Sequence, residues 1–168
     1  SEYIMYNSPH TIPSDCVPGN IILIQQFYLP TNEKRREEVR LALRCNCKND
    51  SIDKIVLFNE RIYTEEELGV ANDKIEQIDI SQRLTYRNVF EYSNKLQEDA
   101  YIVLSNCDIF FDAGIVRVKE SGMVSERKAY TLLRHEYNCI ELKECKLFGP
   151  RCESQDTWIW NSKWKISN

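Results

Sequence analysis

Asn106, Asp108 and Asp112 close the apolar run Tyr101-Ile-Val-Leu-Ser-Asn-Cys-Asp-Ile-Phe-Phe-Asp112, and chemistry can be built on their side-chain oxygens. A run of Tyr, Ile, Val and Leu without polar alternation is the pattern of a strand buried on both faces, as at the centre of a parallel α/β sheet. Acids at its carboxyl end would face the crevice where open α/β sheets bind ligands. Such acids are candidates for a hard cation and, through it, a phosphate-bearing ligand, and oxygen ligands suit such a cation better than sulfur does, so Cys107 is expected to point into the sheet. The plain alternative is that Asp108 and Asp112 cap the turn after a strand, where Asp is favoured in any case.

The elements around this run read as its support. After an opening rich in proline (Pro9, Pro13, Pro18), Ile21 to Tyr28 is expected to be the first strand, stopped by Pro30. Asn32 to Cys47 places Val39, Leu41, Ala42 and Leu43 among charges and reads as an amphipathic helix with Asn32 as N-cap. Lys54 to Asn59 is a second buried strand, and Thr64-Glu-Glu-Glu67 is a capping box opening a short turn closed near Gly69. Lys74 to Ile80 reads as a third strand nearer an edge. Leu84 to Leu96 reads as a helix with Ser81 near its start. Three strand-to-helix repeats predict a parallel sheet with right-handed crossovers. Ala113 to Glu120 is a helix or turn ending at Gly122. Ala129 to Tyr137 and Cys139 to Cys145 are expected to be strands, and Ser154 to Trp160 is an aromatic stretch that begins near an acid.

The totals bound what this support can be. One domain is expected from 168 residues, and 42% hydrophobic with 29% charged residues is the make-up of an ordinary globular protein. A net charge of −4 argues against nucleic acid as a partner. No apolar run approaches the roughly 20 residues of a membrane span, and Ser1-Glu2-Tyr3 does not open a signal peptide. Seven cysteines without a CxxC pair fit neither a zinc site nor a disulfide framework, so a reducing, cytoplasmic compartment is expected.

In order along the chain, the first strand leading to Tyr28, the segment Arg83-Leu-Thr-Tyr-Arg-Asn-Val-Phe-Glu-Tyr-Ser-Asn94, Ser105 to Asp112, Leu133-Arg-His-Glu136 and Ser154-Gln-Asp-Thr-Trp-Ile159 resemble small GT-A-fold glycosyltransferase domains. Such domains include the capsid-glycosylating enzymes of large DNA viruses, for which the compartment would be the host cytoplasm, and comparable bacterial sugar transferases. The resemblance implies a Rossmann-like GT-A α/β fold, a mostly parallel sheet flanked by helices with a small antiparallel addition near the C-terminus. It also implies a nucleoside-diphosphate sugar donor, a UDP-sugar favoured, a glycan or glycoprotein hydroxyl acceptor, and Mn²⁺ or Mg²⁺ held by a DxD-type motif.

That motif would here be Asn106-Cys107-Asp108, with Asp108 the metal ligand and Asn106 on the ribose or a metal-bound water. Asp112 is a further ligand or a helix N-cap. By the same resemblance Arg83 contacts the diphosphate or nucleotide, Arg87 lies beside it or on a solvated helix face, and Gln26 and Tyr28 stand where the base is received. Asp156 is the general base or caps a helix, and Arg134 lies near the donor sugar or pairs with Glu136 or Asp112. Trp158, Trp160 and Trp164 form a sugar platform or plain packing. His135 and His10 are expected to be structural or solvated. Related domains continue past the Ser-Gln-Asp segment, so a missing acceptor side is expected. Two other readings stay open: an acidic Mg²⁺ site for phosphoryl transfer or hydrolysis, drawing on Asp79 and Lys54, and a domain that binds a nucleotide sugar without turning it over.

Overall fold

The computed structural model describes residues 2–3, 16–133, 136–141 and 157–167. Strand β1 (Glu2–Tyr3) is followed by β2 (Asn20–Gln25), α1 (Glu33–Lys48), β3 (Lys54–Asn59), α2 (Glu65–Leu68), β4 (Ile75–Asp79), α3 (Tyr86–Lys95) and β5 (Ala100–Ser105). Then come β6 (Phe110–Phe111), a 3-10 helix (Ala113–Glu120), α4 (Met123–Glu126), β7 (Lys128–Leu133), β8 (Glu136–Glu141) and β9 (Thr157–Asn161). Seven strands form one sheet in the order β4-β3-β2-β5-β9-β7-β8, and β1 pairs with β6 in a separate ribbon.

Continuous apolar strands need cover on both faces, and the sheet has it. On one face Ile21, Leu23, Ile55, Leu57, Tyr101 and Val103 pack with Val39, Leu43 and Cys47 of α1. On the other, Ile22, Ile24, Val56, Ile102 and Leu104 pack with Val89 and Phe90 of α3 and with Trp158 and Trp160. The helices lie on opposite faces because the chain changes direction. It steps outward from β2 to β3 to β4, then returns across β2 to place β5 on its other side, all in parallel. The reversal between β2 and β5 is a topological switch point, and a crevice opens there outside the carboxyl ends of the strands. The fold is Rossmann-like α/β, as expected.

Past β5 the directions alternate. β9 runs antiparallel to β5, with Ser105 opposite Thr157 and Tyr101 opposite Asn161, and β7 and β8 continue the sheet. The aromatic stretch thus begins a strand, because alternate Trp158 and Trp160 face one layer while Ile159 faces the other. No helix begins at Thr157 for Asp156 to cap.

Three expected boundaries shift. The first strand ends at Gln25 instead of Tyr28, because the Phe27 N–H turns to the Asn59 side chain (2.8 Å) and leaves the ladder. The expected strand from Ala129 to Tyr137 is two, β7 and β8, paired as a hairpin from Leu133 opposite Glu136. The third helix starts at Thr85, whose hydroxyl and Asn88 form a capping box, while Ser81 takes a left-handed φ of 53°.

Candidate functional site

A cleft of about 800 Å³ occupies the switch point. Its apolar floor is Phe27, Val89, Leu104, Tyr86 and Trp158, and its polar rim carries Gln26, Tyr28, Arg35, Glu60, Arg83, Asn106 and Asp108. Aromatic side chains beside a few convergent polar groups make a usual small-molecule site.

The rim is held by buried amides. Gln25, 1% exposed, donates from Nε2 to Ser105 Oγ (2.9 Å) and to the carbonyl oxygens of Asn106 (2.9 Å) and Ile109 (3.1 Å). From α1, Asn46 donates to the Ile109 oxygen (2.9 Å) and accepts from the Phe111 N–H (3.0 Å). Asn49 donates to the Phe111 (2.9 Å) and Asp112 (3.0 Å) oxygens. The loop bearing Asn106 and Asp108 is therefore held by side-chain amides, which add to its own backbone bond from the Ile109 N–H to the Asn106 oxygen (3.1 Å). The Asn59 amide donates to the Gln77 side chain (2.9 Å), which bonds the Tyr63 backbone (2.8 and 2.9 Å), tying the carboxyl end of β3 and the segment after it to β4.

Among the residues expected to act, Gln26, Tyr28, Arg83, Asn106 and Asp108 line this one cleft. Gln26 is already engaged: its amide donates to the Gln82 oxygen (2.9 Å) and accepts from the Leu84 N–H (3.2 Å), so it braces the segment that carries Arg83. Arg83 is exposed and forms no ion pair among the described residues. Arg87, on the first turn of α3, is exposed and does not line the cleft. Asp112 Oδ1 accepts from the Gly114 N–H (2.8 Å) and caps the 3-10 helix, away from the cleft lining. Arg134 and Asp156 lie outside the described residues, as do His10 and His135. Trp158 is part of the cleft floor, and Trp160 is core, with its ring nitrogen donating to Ser93 Oγ (2.9 Å).

Asp108 is the carboxylate at the mouth of this loop, with its side chain 32% exposed and Arg35 Nη1 3.6 Å from Oδ2. Hydrogen bonds to Tyr28 and Glu38, with the Asp108 charge beyond them, raise the Arg35 guanidinium above its ordinary value. Cys107 is 6% exposed; burial first, then the charge of Asp108, pushes its thiol up to about 12, so it is a neutral filler and no ligand. No group of three or more Asp, Glu, His or Cys converges among the described residues. One carboxylate with the Asn106 amide nearby fits a cation whose shell is completed by phosphate oxygens, which is how Mg²⁺ is commonly bound.

The residues that a phosphoryl-transfer site would draw on are engaged elsewhere. Asp79 Oδ1 accepts from the Ser81 N–H (2.8 Å) and hydroxyl (2.9 Å), holding the left-handed turn, and Lys54 pairs with Glu76 (2.5 Å). Neither lines the cleft. Sequence reasoning missed Arg35, Glu60 and the amides Asn46 and Asn49 as parts of the site. Asn46 did leave a signal, an amide on the apolar face of α1 between Leu43 and Cys47.

No helix among the described residues is long and apolar enough to cross a membrane. No protein-family model matches the chain, and no curated protein matches it. Among solved structures the chain is similar to the 4-diphosphocytidyl-2C-methyl-D-erythritol synthase of Anaerococcus prevotii, at 12% identity and a TM-score of 0.46, over 86% of this chain and 72% of that one. A likeness at that level says nothing of activity. What the strands themselves establish is a Rossmann-like α/β chain with a braced cleft at its switch point.

Proposed function

We propose that the cleft binds a nucleoside-diphosphate sugar together with Mn²⁺ or Mg²⁺, and that the chain transfers the sugar to a hydroxyl of a glycan or glycoprotein. The observation that carries this reading is the position of Asp108 and Asn106 on a braced loop at the carboxyl end of β5, lining one cleft together with Arg83. Asp108 would hold the cation, with Asn106 on the ribose or on a cation-bound water, and Tyr28 at the base. The cation, when bound, neutralises charge on the departing diphosphate as a Lewis acid. Arg83, planar and permanently charged, would bind the same diphosphate. Asp156, directly before Thr157 in sequence, would take the acceptor proton, and Arg134 would lie against the donor sugar.

The test is release of UDP or GDP from a panel of nucleotide sugars in the presence of Mn²⁺ and mixed glycan acceptors. Metal-dependent release that is lost in Asp108→Asn supports transfer. Tight donor binding without release would replace it by a non-catalytic binding domain.

A further inference from the structure

Resting on the donor reading above, we propose that Arg35 is a positioning residue that makes the cation and the diphosphate bind as one unit. Arg35 stands in the first turn of α1, where the side chain of Asn32 accepts from its backbone N–H at 3.0 Å and fixes where its own side chain begins. From there the guanidinium reaches Glu38 Oε2 (3.0 Å), the Tyr28 side chain and Asp108 Oδ2 (3.6 Å). The carboxylate best placed to hold a cation therefore already faces one.

Both members of the pair line the cleft and are partly exposed, at 45% and 32%, so the pair sits against water and exchanges readily. A divalent ion arriving alone must displace the guanidinium, and it then meets one carboxylate and one amide. That is a poor shell for an ion that prefers about six oxygens. A diphosphate changes both sides of this balance. Its oxygens complete the shell of the ion at Asp108, and they offer the released guanidinium an anionic partner that matches its fork. Each ligand then raises the affinity of the other by the same factor.

The experiment reads Mn²⁺ binding from the loss of its free-ion paramagnetic resonance signal, with and without UDP, on the whole chain. In the parent chain UDP is expected to tighten Mn²⁺ by at least ~10-fold, and Arg35→Gln should bind Mn²⁺ alone ~5-fold or more tightly than the parent while gaining less from UDP. Lys34→Gln removes the same charge one residue away, where no ion pair to Asp108 exists among the described residues, and should leave both affinities within about twofold. Circular dichroism shows whether each variant keeps its fold. If Arg35→Gln holds Mn²⁺ alone no better than the parent chain, or if Lys34→Gln behaves the same way, the coupling role of Arg35 is overturned and the donor reading survives. If Mn²⁺ and UDP together fail to bind the parent chain, the donor reading itself falls.

Discussion

Gln25 and Asn46 bond the same atom: the two side-chain amides, one from β2 and one from α1, donate to the Ile109 carbonyl oxygen at 3.1 and 2.9 Å. Strand and helix are thereby joined through the loop that presents Asp108. Removing one amide leaves the other to satisfy Ile109, while Gln25→Leu also takes a donor from Ser105 Oγ and from the Asn106 oxygen, and Asn46→Leu takes the side-chain acceptor from the Phe111 N–H. Gln25→Leu and Asn46→Leu should each lower unfolding free energy by about 1–3 kcal/mol, the cost of buried groups left unpaired. Their effects should depart from additivity by at least ~0.5 kcal/mol, because they share one acceptor. Denaturant unfolding of both singles and the double measures it; strict additivity would mean that the loop relaxes independently on each side.

Arg83 is the rim cation without an ion pair among the described residues, so its substitution should be felt at the ligand and not in the fold. Arg83→Gln is expected to weaken UDP binding about 10-fold or more, as the loss of a charge-assisted hydrogen bond implies, with the melting temperature unchanged. Arg87→Gln, outside the cleft lining, serves as the comparison and should lose about twofold at most.

Burial raises two acids that line opposite ends of β5. Cys107, through burial and then the Asp108 charge, and Tyr101, through burial, are both pushed up to about 12. Between their ordinary values, 9.0 and 10.0, and about 12, the folded chain holds protons that the unfolded chain has released. The contribution of these two groups to stability is therefore full below about pH 9 and falls as pH rises through that window. Urea midpoints across this range should decline, and Tyr101→Phe should flatten the slope at the cost of the hydroxyl bond to the Val17 oxygen (2.7 Å). Alkylation at pH 8 followed by peptide mass analysis should label exposed Cys16 and spare Cys107.

The acid side has a separate origin. Arg61 foremost, and then the Thr64 backbone N–H, hold Glu67 at about 2, well under its ordinary 4.5. The stabilisation of the capped α2 is thus present above about 4.5 and lost as pH falls toward 2. Glu67→Gln should make the melting temperature less sensitive to acid over that interval.

What could be read in the residues follows from how local the cause was. β5 and the helix capped by Asn32 were legible because five apolar residues in a row, or one amide before an amphipathic repeat, decide the outcome within a single element. The hairpin of β7 and β8 was not, since Ala129 to Tyr137 contains no Gly, Pro or Asn to mark a turn. Nor was the seat of β9 beside β5, which depends on pairing Thr157 with Ser105 far along the chain. Asp108 could be picked out as the acid ending a strand. Arg35 could not, because Lys34-Arg35-Arg36 offers three cations and only the fold selects the one that meets Asp108. Gln25 looked like the polar end of a strand, and its bonds to Asn106 and Ile109 exist only once the loop has folded back over it.

The central claim is that Asp108 joins a cation and a diphosphate at the end of β5. Calorimetric titration of UDP-sugars and GDP-sugars into the chain, with and without Mn²⁺, tests it most directly, with Asp108→Asn run beside it. The expected result is saturable heat for at least one donor that strengthens with Mn²⁺, and loss of that metal-dependent part in Asp108→Asn with the fold intact. Absence of binding by every donor in the presence of Mn²⁺, or an Mn²⁺ effect that persists undiminished in Asp108→Asn, would contradict it.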